Sequence, residues 1–171
     1  DGTTDCTDSA RKLANYTIDL KPEPNANWTT QITITVTDSS SRSSSTLVNF
    51  KVNSVNDLPT FPSFPRNQAV NRGNSTPALS FTVGDVETAP GSIIVTGTSL
   101  NTTVVPDANI IFGAVTGDGT SRTVTIVHAS SGSSGTDGEA TIRLVVKDGD
   151  NATATQDFIV NFSTPLGNPT I

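Results

Sequence analysis

The sequence predicts an all-β protein made of tandem, seven-stranded, Greek-key β-sandwich domains, the first of which is incomplete. Thr and Val, which favour pleated surfaces, occur together with many Gly, Asn, Asp and Pro residues, which favour turns. No 11-residue window places apolar residues at the 3.6-residue period of an amphipathic helix. A pattern of strand, polar turn, strand and proline also occurs twice, with Asp148 lying 110 positions after Asp38.

The repeat is defined by its apolar phase and depends little on identical residues. In both copies an alternating apolar run precedes the aspartate, and a second run follows the polar turn and stops at Pro59 or Pro169. The repeated apolar positions are Ile32, Ile34, Val36, Val48, Phe50 and Val52 in one copy and Ile142, Leu144, Val146, Phe158, Val160 and Phe162 in the other. A period of about 100 residues in an all-strand chain is typical of tandem sandwich domains.

One complete domain is predicted over residues 56–164, with its strands placed by the alternation of apolar and polar residues. The strands are expected near residues 68–71, over ALSFTVGD and SIIVTGTS, in short pieces near residues 104–105 and 110–112, and over RTVTIVH, ATIRLVV and DFIVNF. Turns rich in Gly and Asp, such as TGDGTS, separate them. Two antiparallel sheets packed on their apolar faces bury this pattern most simply.

Residues 1–55 are predicted to form the C-terminal half of another such domain. The segments YTIDL, QITITVT and TLVNFKV match the last three strands of the complete repeat. Three strands cannot cover their own apolar face, so Ile18, Ile32, Ile34 and Phe50 need a partner. Two sources remain open, namely strands that precede them in a longer parent protein and a strand donated by a neighbouring subunit.

Several short motifs resemble a known family. The stretch VTD…SSSTLVNFKVNSVNDLPTF resembles the end of a cadherin repeat, and FTVGDVET resembles the acidic turn after its second strand. Together with SRTVTIVHA, these motifs resemble the cadherin-like or immunoglobulin-like repeats of large bacterial surface proteins of the adhesin type. The sequence departs from the cadherin linker at Asn53 and Val55, where Asp and Asn would be expected. The resemblance implies an extracellular rod in which the linkers determine the stiffness.

Acidic and amide side chains are expected to gather at the pole of the complete domain where the linker enters. The candidate metal ligands are Asn56, Asp57, Asp85, Glu87 and Asp148. Carboxylates at one pole repel one another unless a cation neutralises them, and hard oxygen ligands suit Ca²⁺. By resemblance to cadherins, calcium would lock the linker and stiffen the rod. In the alternative interpretation Asp57, Asp85 and Asp148 cap their own backbone amides as turn formers.

Composition and isolated motifs argue against several function classes. A net charge of −6 disfavours nucleic acid and anionic membranes as partners. No apolar run approaches the roughly 20 residues of a membrane-spanning helix. The lone His128 has no nucleophile elbow or clustered carboxylate around it, so we expect a surface or strand-end histidine and no enzyme. The single cysteine, Cys6, cannot form an internal disulfide.

The function predicted from these observations is a structural spacer or stalk repeat of a large surface or adhesion protein. Its partners would be neighbouring repeats of the same polypeptide. We expect a longer parent, because the chain begins at Asp1 without Met and residues 165–171 are typical of a linker that opens a further repeat. Two alternatives are a subunit of a surface filament or layer, with strands completed by a neighbour, and a carbohydrate-binding module in which loops at one pole carry recognition. Trp28 is a separate candidate platform for sugar rings, and in the alternative interpretation it covers the edge of the incomplete first domain.

Overall fold

The computed structural model describes residues 16–130 and 136–164, and almost all regular structure in them is β-strand. The chain divides into two compact units, Asp1–Ser54 and Val55–Ile171. The strands are β1 (Thr29–Thr37), β2 (Ser43–Lys51), β3 (Thr60–Ser63), β4 (Gln68–Asn71), β5 (Leu79–Gly84), β6 (Ile94–Ser99), β7 (Ile110–Phe112), β8 (Ser121–Ile126), β9 (Gly138–Lys147) and β10 (Thr153–Ser163). The predicted all-β class is confirmed. The predicted linker at residues 165–171 lies outside the described residues.

The first unit contains one antiparallel hairpin, β1–β2, in which Thr29 pairs with Lys51 and Thr37 with Ser43. One face carries a ladder of polar side chains, such as the Thr35 and Ser45 hydroxyls 2.8 Å apart. Because side chains alternate along a strand, the repeated apolar residues share the opposite face.

The predicted strand YTIDL is wrong, because residues 16–20 have no regular secondary structure and pair with no strand among the described residues. A strand needs a partner for its backbone amides and carbonyls. Pro22 and Pro24, which lack an N–H group, interrupt the segment that follows. The alternation of apolar residues predicted this strand, but no strand among the described residues supplies its hydrogen bonds.

The second unit is a β-sandwich of two four-stranded sheets, ordered β4-β10-β9-β6 and β3-β5-β8-β7. All pairs are antiparallel except β4 and β10, which run parallel. The first extended segment of the unit is split, so that β3 joins one sheet and β4 the other. The unit therefore has eight strands, one more than predicted. The strand that was missed, Thr60–Ser63, contains Pro62, which a sheet tolerates at an edge, and β3 is an edge strand.

The core of the second unit lies between the inward faces of the two sheets. Its most deeply buried side chains are Phe81, Val83, Val124 and Ile126 from one sheet and Ile142, Leu144, Val146, Phe158, Val160 and Phe162 from the other. The predicted short strand at residues 104–105 is wrong, because both valines lie in a turn and donate their amides to Asn101 O. They are buried nonetheless, so their apolar side chains complete the core from a loop.

The hairpin β9–β10 repeats the geometry of β1–β2. Lys147 pairs with Thr153, as Thr37 pairs with Ser43, and the registers stay in step along both hairpins with an offset of 110. Each hairpin turn contains a residue with positive φ at the equivalent position, Ser41 with 64° in the first hairpin and Asn151 with 72° in the second. The sequence repeat is thus matched by the backbone, pair by pair. Among the described residues no helix is long and apolar enough to cross a bilayer.

Candidate functional site

Three segments of the second unit meet at one pole and bring the five predicted ligands together. Antiparallel pairing of Thr60 with Gly84 sets the segment before β3 beside the turn that follows β5. The amide Nδ2 of Asn56 donates to Asp148 Oδ2 at 2.8 Å, which ties the same segment to the turn after β9. The structure therefore connects residues 92 positions apart.

Asp148 organises the turn between β9 and β10. Its Oδ1 accepts the backbone amides of Asp150 at 2.9 Å and Ala152 at 2.8 Å, while Oδ2 accepts from Asn56. The side chain is buried, at 3% of its free exposure. The hydrogen bond from Asn56, followed by those from the backbone, holds the pKa of Asp148 below its ordinary value of 3.8. This carboxylate stays charged because protein donors surround it.

Asp85 and Glu87 organise the turn after β5. Asp85 Oδ1 accepts the backbone amides of Glu87 at 3.1 Å and Thr88 at 2.6 Å. Glu87 Oε2 in turn accepts the backbone amide of Asp57 at 3.1 Å. The other oxygen of Asp85, Oδ2, is buried and has no hydrogen-bond partner among the described residues. A buried carboxylate oxygen without a donor is costly, which singles out this atom within the cluster.

Two residues that the sequence analysis missed support the pole. The hydroxyl of Thr88 accepts the backbone amide of Gly149 at 3.0 Å and so joins the turn after β5 to the turn after β9. The guanidinium of Arg122, which is 6% exposed, donates to Pro90 O at 2.7 Å and to Ile93 O at 3.3 Å. No local pattern marks either residue, because their partners lie between 29 and 61 positions away.

The hydrogen bonds at the pole agree with the interpretation that the aspartates are turn formers. They agree only in part with the interpretation that the five residues bind a metal ion. The carboxylates of Asp85 and Asp148 accept backbone amides of their own turns, as turn formers do, whereas Asp57 takes part through its backbone amide, which donates to Glu87 Oε2. Among residues 16–130 and 136–164, no three acidic, histidine or cysteine side chains converge closely enough to hold a metal ion. The donor set is nevertheless all oxygen, and Asp85 Oδ2 lacks a donor. The five residues share one pole, and the metal site stays a prediction.

His128 differs from the sequence-based expectation in one respect. It follows β8, as a strand-end residue, but it is 3% exposed and therefore is not a surface histidine. Its ring packs edge-on against Phe162 with the centroids 4.8 Å apart. Nε2 lies 3.1 Å from Thr136 O, and Nδ1 accepts the Ser130 amide at 3.1 Å. The contact with Phe162 places the ring against β10, which accounts for part of its burial.

Trp28, the candidate sugar platform, packs on its own hairpin. Its indole lies against Phe50 at 5.7 Å between centroids and a tilt of 60°. The Trp28 carbonyl also accepts the Val52 amide at 2.9 Å, which continues the pairing of β1 with β2. The ring is 45% exposed and belongs to the apolar face of the hairpin.

Comparison with known proteins adds information on the fold alone. No protein-family model and no curated protein matches the sequence. Solved structures that resemble the chain include the Ig1-2 module of the Drosophila receptor protein tyrosine phosphatase DLAR (15% identity, 67% of this chain and 53% of that chain, TM-score 0.44). Others are PcdhgB3 EC1-4 (11% identity, 81% and 32%, TM-score 0.49) and surface layer protein SbsC domains 4–9 (18% identity, 83% and 19%, TM-score 0.34).

The chain spans about half or less of the length of these solved chains. Because each of these three TM-scores is below 0.5, we assign the fold from the order of the strands in the two sheets and from the split first strand. By those features the second unit has the β-sandwich fold of immunoglobulin-like and cadherin-like domains.

Proposed function

We propose that the chain is a structural spacer segment of a larger extracellular surface or adhesion protein, built from repeated sandwich modules. The recurrence of one hairpin, in the same register and with the same turn, supports this proposal most directly. In repeat arrays each module contacts mainly its neighbours, so length grows with copy number and function requires no catalytic cleft. Neighbouring repeats of the same polypeptide are the proposed partners.

The edge strands of the two sheets in the second unit support a spacer that does not aggregate through its strands. An exposed strand edge pairs readily with other chains, and short edge strands reduce that risk. Three of the four edge strands are short, since β3 and β4 have four residues each and β7 has three, while the fourth, β6, has six. A surplus of acidic residues and a polar outer surface add solubility. These features favour the spacer over a filament subunit joined through edges of this unit.

The spacer proposal is tested by the dimensions of artificial arrays. Chains that carry two, three and four head-to-tail copies of residues 55–164 are compared by small-angle scattering. We expect the maximum dimension to grow by a constant increment per copy. Collapse into a globule of nearly constant dimension would contradict the proposal, and specific binding of the single unit to a glycan array would favour the carbohydrate-binding alternative.

We also propose that Ca²⁺ binds at the pole formed by Asn56, Asp57, Asp85, Glu87 and Asp148. The unpartnered Asp85 Oδ2 supports this proposal, since a cation would satisfy that oxygen. Binding requires the Asp57 and Glu87 carboxylates to turn toward it, because Glu87 Oε2 now accepts a backbone amide. A bound ion would fix the segment before β3 to the two turns. Extracellular modules typically bind Ca²⁺ with dissociation constants of about 10⁻⁴–10⁻³ M.

Calcium binding is tested by thermal melting of the chain during a Ca²⁺ titration. Ligand at ten to a hundred times its dissociation constant stabilises a protein by about 1.4–2.7 kcal/mol, so millimolar Ca²⁺ should raise the melting temperature by several degrees. Asp85→Asn should abolish the shift. Asp107→Asn should keep it, because Asp107 caps Ser99 at the opposite end of β6. A concentration of about 10 mM Ca²⁺ is roughly ten times the weakest of these dissociation constants. If the melting temperature of the unaltered chain does not change at that concentration, the calcium proposal is contradicted and the spacer proposal is unaffected.

A further inference from the structure

The hairpin of the first unit exposes a face whose counterpart in the second unit is core. Ile32, Ile34, Val36, Val48 and Phe50 correspond, with the offset of 110, to residues of β9 and β10. Those counterparts, Ile142, Leu144, Val146, Phe158 and Val160, are 0–2% exposed. In the first unit Val36 is 62% exposed and Val48 41%. Ile32, Ile34 and Phe50 are half-buried, so the same face is fully buried in one copy and only partly covered in the other.

The second unit shows what covers such a face. The opposite sheet, β3-β5-β8-β7, lays Phe81, Val83, Val124 and Ile126 against it. In the second unit both outer edges of the β9–β10 hairpin are also paired, since β6 pairs antiparallel with β9 and β4 pairs parallel with β10. Among the described residues, β1 and β2 pair only with each other. Within residues 16–130 and 136–164, no strand pairs with either edge of the first hairpin and no second sheet packs on its apolar face, whereas β9 and β10 have both kinds of partner.

We propose that β1 and β2 are the last two strands of a sandwich that is completed by strands preceding β1 in the same polypeptide. The completing segment would supply an antiparallel strand along β1, a parallel strand along β2, and a facing sheet of alternating aliphatic and aromatic residues. This inference rests on the proposed repeat function and specifies the partner of the first unit by its chemistry and its pairing directions.

The size of the face argues against a second copy of the hairpin as the occupant. Nine residues at about 3.3 Å each give a strand of about 30 Å, and two strands are about 10 Å wide. Such a face offers about 300 Å², whereas stable protein interfaces bury about 800 Å² per partner. Strands of the same chain also avoid the translational and rotational cost of association. In the second unit the covering strands precede the hairpin in sequence, as the proposal requires.

The test uses the second unit as the source of a completing segment. A copy of residues 55–137 replaces residues 1–27, so that Trp28 follows it as Gly138 follows residue 137 in the original chain. Hydrogen exchange is then measured at the β1 and β2 amides in the altered and original chains. In the original chain we expect rapid exchange, since an isolated hairpin is marginally stable in water. In the altered chain we expect exchange slowed by about a hundredfold or more, toward the rates of β9 and β10.

Two substitutions on opposite faces of β1 control the test. Ile34→Asp places a charge on the proposed inner face and should restore rapid exchange in the altered chain. Thr35→Asp lies on the polar face beside Ser45 and should leave the protection in place. A second measurement on the original chain is binding of the apolar dye bis-ANS, which should fall with Ile34→Asp and not with Thr35→Asp.

Several outcomes overturn the proposal. One is rapid exchange of β1 and β2 in the altered chain, whether or not the copied segment is itself protected. Another is slow exchange of the hairpin in a monomeric original chain, which would show that it needs no cover. A dimer in light scattering with protected β1 and β2 amides would make a second copy the occupant. The array experiment uses residues 55–164 alone, and the calcium experiment tests ligands that all lie in the second unit, so failure of either is distinguishable from failure of this proposal.

Discussion

At the scale of single residues, Asp38 and Asp148, the aspartates at the start of the two repeated turns, make the same local hydrogen bonds but differ in their distant partners. Asp38 Oδ1 accepts the amides of Ser40 and Arg42, as Asp148 Oδ1 accepts those of Asp150 and Ala152. The second oxygen differs, because Asp38 Oδ2 takes the Arg42 side chain at 2.7 Å. In the second unit the equivalent oxygen, Asp148 Oδ2, accepts a hydrogen bond from Asn56, which is distant in the sequence. The turn is local, and the tie at the pole is not.

A buried arginine gives the prediction at this scale. Arg122→Ala removes the guanidinium that donates to Pro90 O and Ile93 O. Because these carbonyls lose that donor, the substitution should lower the free energy of unfolding of the second unit by about 1–3 kcal/mol. Urea denaturation followed by circular dichroism measures the change. Arg143→Ala, which removes an exposed ion pair with Asp157, is the control and should have the smaller effect. Equal effects would contradict the anchoring role of Arg122.

At the scale of elements, the two hairpins have one register and different surroundings. In β9 the alternating residues face a sheet that buries them, and in β1 the equivalent residues are half-buried or exposed. Propensity and alternation are the same in both copies, so they account for strand formation in both. They do not decide the burial, which depends on the strands available to pack on each face.

Matched substitutions at equivalent positions separate strand formation from burial. Leu144→Ala should lower the free energy of unfolding by about 2–5 kcal/mol, because Leu144 is fully buried and its loss leaves a cavity. Ile34→Ala, 110 positions earlier, should change the same unfolding transition far less, because Ile34 lies in the first unit outside this core. Urea denaturation of both variants measures the difference. Comparable losses would contradict the assignment of Ile34 and Leu144 to separate units.

At the scale of the whole molecule, the described residues contain one complete core, and it belongs to the second unit. Four aspartates of that unit have pKa values held below 3.8 by their partners. A side-chain hydrogen bond comes first for Asp148 (from Asn56), for Asp157 (from Arg143) and for Asp137 (from Thr164). For Asp118 the backbone amide of Thr120 comes first. Folding therefore stabilises the charged form of all four groups.

These shifts predict acid sensitivity of the second unit. A carboxylate with a lowered pKa in the folded state contributes stability above the unfolded value, 3.8, which is lost as the pH falls through the folded value. We expect the urea midpoint to be nearly constant from neutral pH to about pH 5 and to fall below about pH 4. Asp148→Asn should lower the midpoint at neutral pH and reduce its fall in acid. An unchanged midpoint down to about pH 3 would contradict the prediction.

The sequence by itself determined the strands of the second unit, except the proline-containing β3, and the repeated hairpin with its turn. These features depend on alternation, turn chemistry and spacing, which involve residues close together in the chain. Only the tertiary structure decided that Asn56 binds Asp148, that Arg122 and His128 are buried, and that Val104 and Val105 fill the core from a turn. It also showed that the hairpin face is fully buried in one copy and only partly covered in the other. The physical reason is that burial and side-chain pairing depend on what lies across the fold, and local sequence carries no record of those distant neighbours.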